Sequence, residues 1–142
     1  MRYHETRVNV RFTEVDLYHV VWHGYYFNWF EVSRNELARH FELDPIKLLE
    51  AGFLAPVVEV YCQFKEPARL NDEVVIRTGI EPTEVANLIF TYTVLHAGTE
   101  KVLATGRTIH VLTDSKGNLL YRFPPAIQEK IDRMMEYLEV GR

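Results

Sequence analysis

With one cysteine, Cys62, in 142 residues, this chain has no means of forming an internal disulfide. Its stability has to come from a packed core, and the lone thiol reads as a small buried hydrophobe in a reducing compartment. No uninterrupted apolar run is long enough to cross a bilayer. No basic amino-terminal region leads into an apolar stretch with a cleavage-like site either, so a cytoplasmic protein is expected, with neither secretion nor a membrane span. Positive charge is also in short supply: 16 Lys and Arg stand against 20 Asp and Glu, a net charge of −4. The cations are scattered along the chain, which disfavours nucleic acid as a partner. Gly-rich phosphate loops, a dinucleotide fingerprint and a Gly-x-Ser-x-Gly elbow are all missing, so nucleotide chemistry and a serine triad have no support.

What the chain does have is apolar content of 47%, enough to close one core over residues 1–142 as a single domain. From Tyr3 to Thr13 polar and apolar residues alternate, placing His4, Thr6, Val8, Val10 and Phe12 on one side of a half-buried strand. From Trp22 to His40 the period changes to that of a helix. Tyr26, Phe30, Ser33 and Leu37 form one stripe, Tyr25, Trp29 and Val32 a second, and Asn28, Glu31, Asn35 and Arg39 a polar one; aromatics on most sides of the first half predict an enclosed helix. Asp44-Pro45 reads as a cap and first helical residue of a short helix that Gly52 ends. Four strand patterns follow, at residues 58–64, 74–80, 87–96 and 102–113, joined by turns short enough to pair them antiparallel. An amphipathic helix from Pro125 to Leu138 closes the chain, with Ile127, Ile131, Met134, Met135 and Leu138 on its apolar face. The order is that of an α+β domain in which an antiparallel sheet wraps a long helix.

The chemistry concentrates between Arg11 and Arg34. Asp16 follows a strand and precedes a helix start, a place where Asp is common as a turn former or cap. A carboxylate there could equally serve as base or nucleophile beside the amides that open the helix. His23 falls at the first turn, Trp22 and Tyr26 stand as pocket wall or helix packing, and Glu31 and Arg34 are spaced to pair at i, i+3. His19 and His23 are four apart but lack the Glu of a His-Glu-x-x-His pair, and His96 and His110 lie in strand patterns without ligand-like companions; no metal site is expected.

This segment resembles the signature of the hotdog-fold acyl-CoA thioesterases, in particular the 4-hydroxybenzoyl-CoA thioesterase family and its Tol-Pal-associated bacterial branch. The matching positions are Asp16, Val20, Val21, His23, Tyr26, Phe30, Glu31 and Arg34. A second block, Phe64 to Glu73, is similar to the family's Pro-Ala-x-x-Gly-Asp turn with Asn71 in place of glycine, a mild change because Asn tolerates the left-handed conformation. The resemblance implies a hotdog fold and an acyl-CoA thioester hydrolase with Asp16 as nucleophile or general base and His23 near the thioester. It also implies an oxyanion site from the amides around His23 and Gly24. Trp22, Gly24, Tyr26, Lys65 and Arg69 are the candidate substrate-binding residues, the last two toward coenzyme A phosphates.

No cofactor is implied beyond the coenzyme A carried by the substrate, and a homodimer or homotetramer with sites between subunits is expected. Two positions depart from the family: His19 replaces a common glycine and is expected to reshape the acyl pocket, and Tyr25 replaces an asparagine, removing an amide near the reaction centre. The alternatives are a hotdog dehydratase acting on acyl carrier protein substrates, whose His and acid motif is not found here, and a non-catalytic acyl-ligand-binding protein.

Overall fold

Helix α1 (Gly24–Arg39) lies against a seven-stranded sheet in which every pairing is antiparallel. The computed structural model describes residues 2–140. In chain order the remaining elements are β1 (His4–Asn9), α2 (Pro45–Glu50), β2 (Phe53–Leu54), β3 (Val57–Phe64), β4 (Glu73–Glu81), β5 (Asn87–His96), β6 (Val102–Asp114), β7 (Leu119–Leu120) and α3 (Pro125–Tyr137). The sheet runs β1-β4-β5-β6, with β2, β3 and β7 all paired to β6. Short turns let β5 fold back on β4 and β6 on β5, whereas β4 crosses away from β3 to pair with β1, and β3 joins the far side of β6.

Phe30 fixes how α1 sits. Its ring stacks on Tyr92 of β5, centroids 4.3 Å apart and planes within 9°, and fills space on β6 that a side chain at Gly106 would occupy. Tyr26, Trp29, Ser33, Leu37 and Ala38 are buried with it, and α3 adds Ile127, Ile131, Met134 and Leu138 to the same core. The apolar stripe through Tyr26, Phe30, Ser33 and Leu37 is the buried one, as the helical period predicts. The rest of α1 is less enclosed than its aromatic content suggests: Phe27 and Val32 are 41% and 50% exposed, because the sheet covers only one side of the helix.

Two further departures have local causes. The first strand ends at Asn9 rather than Thr13, because residues Phe12–Glu14 tighten into a 3-10 turn that resets the alternation and swings Phe12 into solvent. The two-residue strands β2 and β7 are too short to leave a periodic trace. The turn residues behave as their chemistry requires, with Asn71, Gly52 and Gly117 at φ of 67°, 92° and 87°. Cys62 is half-buried on β3, and burial pushes its thiol up to about 11, which favours the protonated form at neutral pH.

A line of polar groups crosses the core between α1 and β6. Arg34 Nη1 donates to the Tyr92 hydroxyl at 3.2 Å, and Tyr92 and Thr108 share a 2.6 Å hydrogen bond. Thr108 Oγ1 lies 3.0 Å from His110 Nε2, and His110 Nδ1 lies 3.0 Å from the Ala55 carbonyl. A consistent donor order runs from the guanidinium through both hydroxyls to Nε2, leaving the proton on Nδ1 to meet Ala55. Neutral His110 satisfies every partner; burial lowers its pKa to about 4, against the opposing Ala55 hydrogen bond and with a smaller contribution from the Arg34 charge.

The unfolded imidazole titrates near 6.5, so the contribution is fully present above that pH and is lost as pH falls toward 4. The loss is on the order of 3 kcal/mol. Urea midpoints measured from pH 7 to pH 4 should therefore fall less steeply for His110→Asn than for the wild type; parallel profiles would refute the assignment.

Candidate active site

Asp16 opens a tight reversal. Its amide donates to the Val20 carbonyl, His19 N–H donates back to the Asp16 carbonyl, and Val15 and Val21 bridge the base of the loop. The half-buried carboxylate folds back onto its own loop, where Oδ1 accepts from the Tyr18 amide at 2.8 Å. That bond alone is the ordinary Asx turn, and it leaves Oδ2 uncommitted. His19 takes φ of 63°, which is the physical reason glycine suits this place. Its side chain is exposed and does not line the cleft. In the single chain, then, what marks residue 19 is its left-handed backbone.

Two buried anchors hold the loop. Glu14 is 3% exposed; its Oε1 accepts the Arg11 amide at 2.7 Å and its Oε2 the Trp29 indole N–H at 3.3 Å, while its own carbonyl accepts from Trp22 N–H. Ala68 is the second anchor. Its carbonyl accepts from Val21 N–H at 2.8 Å and its amide donates to the Tyr26 hydroxyl at 3.4 Å. The Pro67-Ala68 turn and the start of α1, far apart in sequence, are thereby latched together.

Between them lies a cleft of about 370 Å³ bordered by Asp16, Tyr18, His23, Tyr26, Phe64 and Lys65, with Val20, Val21, Glu66 and Pro67 completing its rim. The Phe64 ring meets Tyr26 edge-on at 5.0 Å and His23 at 6.3 Å. Tyr26 is 2% exposed, and burial raises its phenol pKa, so it serves as neutral floor and core at once. No side chain caps α1, and the amides of His23 and Gly24 take no partner among the described residues. Orphan donors of this kind can receive an anionic oxygen.

Of the sequence candidates, Asp16, His23, Tyr26 and Lys65 come together at this cleft. Trp22 and Gly24 stand beside it: the Trp22 ring lies 4.8 Å from the His23 ring and across Gly24, where a side chain would collide with the indole. Gly24→Ala should push Trp22 outward and red-shift its fluorescence, with stability changed by less than about 1 kcal/mol because the ring is half-exposed and free to move. An unchanged spectrum would show that the indole does not rest there in solution. Arg69 lies outside the cleft lining, on the turn where its amide donates to Asp72 Oδ2 at 2.8 Å. Glu31 and Arg34 form no ion pair among the described residues; Arg34 turns inward to Tyr92 instead.

Glu14, Tyr18 and Phe64 are the residues that reading the sequence missed. The alternation of the first strand breaks at the 3-10 turn, so no local pattern marks Glu14 as buried.

Residues 10–131 match the model of a family described as the Thioesterase-like superfamily. The Bacillus subtilis protein named "Putative acyl-CoA thioesterase YneP" is 27% identical over 86% of this chain and 89% of its own. The Escherichia coli acyl-CoA thioester hydrolase YbgC is 29% identical over 63% of this chain and 67% of its own. Among solved structures, a DHNA-CoA thioesterase from Staphylococcus aureus superposes with a TM-score of 0.86 at 21% identity, covering 100% of this chain and 97% of that one. The likeness establishes the hotdog fold that the sequence resemblance implied.

Proposed function

Because the chain belongs to the thioesterase-like superfamily, we propose that it hydrolyses acyl-CoA thioesters in the cleft beside Asp16. The observation that carries this reading is the meeting, on one cleft, of the Asp16 carboxylate and His23 at the uncapped start of α1. Asp16 attacks the thioester carbonyl or takes a proton from the attacking water, and the developing oxyanion is received by the amides of His23 and Gly24. Such a donor is worth on the order of 3 kcal/mol of barrier. The coenzyme A thiolate leaves as the carbonyl re-forms.

The His23 side chain orients substrate or water. Val20, Val21, Tyr26 and Phe64 supply an apolar wall for the acyl group, and Lys65 at the rim offers one cation to the coenzyme A phosphates. Trp22 covers the helix start from the side. Neither a metal nor a redox group is assigned a role.

A second copy of the chain is part of the reading. Among the described residues strand β3 pairs with β6 alone, and Val57, Val58, Val60, Tyr61 and Phe64 along it are each 41–61% exposed. An unpaired apolar edge of this kind is stabilised by pairing with a twin. With Phe64 shared between that edge and the cleft, a homodimer or homotetramer would shape the site it borders. Purified protein assayed for thiol release on a panel of acyl-CoAs tests the proposal; an enzyme inert on every acyl chain refutes it, and hydration of enoyl thioesters in its place would assign a dehydratase.

A further inference from the structure

Away from the Asp16 cleft, a second cavity of about 310 Å³ opens between the middle of α1, the segment from residue 43 to residue 57, and strands β5 and β6. It shares no residue with the first. Leu43, Leu48, Leu54, Leu88 and Phe90 make most of its wall apolar. His110 reaches it with both ring nitrogens already engaged. Arg34 reaches it too, and of the five donors a guanidinium carries only Nη1 is engaged among the described residues, by Tyr92.

No carboxylate pairs with Arg34 among the described residues. Glu31, one turn earlier on α1, is exposed at the rim. A half-buried cation with unused, coplanar donors at the wall of an apolar cavity is matched by two oxygens joined to an apolar body.

We propose that this cavity binds an organic monocarboxylate, its carboxylate held by the Arg34 guanidinium and its aliphatic or aromatic body against Leu88 and Phe90. The small volume and apolar wall favour this ligand over a phosphate ester, whose second charge would need further cations. They favour it over a neutral ligand because Arg34 has no counter-charge of its own. Glu31 sets a sign: its charge at the rim opposes the ligand. The inference does not depend on hydrolysis at Asp16.

The test titrates the full-length protein with sodium octanoate and sodium benzoate, read by calorimetry and by the imidazole resonances of His110. One saturable site per chain is expected, moving His110 and leaving His23 in place. Arg34→Gln should weaken binding at least tenfold, Glu31→Gln should tighten it several-fold, and Asp16→Asn should bind as the wild type does. Should Arg34→Gln fail to fold, Leu54→Trp, which fills the cavity mouth, is expected to abolish binding while Glu31→Gln still tightens it. The proposal is overturned by any of four results: no saturable binding, equal binding of 1-octanol, shifts confined to His23, or a folded Arg34→Gln protein that retains acid binding.

Discussion

Asp16→Asn is expected to lower kcat/KM for acyl-CoA hydrolysis roughly 10³-fold or more, about 4 kcal/mol of transition-state stabilisation, while leaving the melting temperature where it was. The amide has the carboxylate's shape, and its oxygen can still accept from the Tyr18 N–H that holds the reversal at 2.8 Å. What it loses is the negative charge that makes the side chain a nucleophile or a base. The result that would sink the reading is a variant as active as the wild type on every acyl chain. A single turnover in ¹⁸O-enriched water and a hydroxylamine trap together separate the two chemistries left open: label in the Asp16 carboxylate, or a hydroxamate formed on Asp16, identifies a covalent acyl-aspartyl anhydride opened at either of its carbonyls, and label only in the released acid with no trapped Asp16 identifies a base acting on water.

Glu14→Ala should carry the largest cost to stability, about 3 kcal/mol, or roughly 10 °C in melting temperature. The variant strands the Trp29 indole N–H, which now donates to Oε2 at 3.3 Å, and the Arg11 amide, which now donates to Oε1 at 2.7 Å, and it leaves a void where a 3% exposed side chain sat. Activity should fall as well, because the Glu14 carbonyl receives the Trp22 amide just before α1 begins. Glu14→Gln keeps an oxygen for one donor and should lose about half as much. Chemical denaturation of the three proteins at pH 7 checks the series; equal midpoints would show that the buried carboxylate anchors nothing.

Long periodic elements were legible in the sequence because their burial repeats many times. The stripe through Tyr26, Phe30, Ser33 and Leu37 locates α1, the alternation in β4 to β6 locates the sheet, and Pro45 and Gly52 bracket α2. The reversal from Asp16 to Val20 was not legible, since its shape depends on the left-handed backbone of His19 and on Glu14, a charged residue whose burial no local pattern required. The partnering of Arg34 was misread for a related reason. Spacing on one helix says which side chains can meet, but Tyr92, 58 residues further on, competes for the same guanidinium and prevails because it lies inside the core.

The cleft has, finally, a history dictated by Ala68. Its carbonyl is tied to Val21 and its amide to Tyr26, 42 residues away, so the pocket wall cannot assemble until a long intervening stretch has been ordered. Closing so distant a loop is entropically unfavourable before the sheet is in place to favour it. In a refolding experiment, helical signal should therefore return ahead of turnover, and catalysis becomes a clock for the completion of the chain's topology.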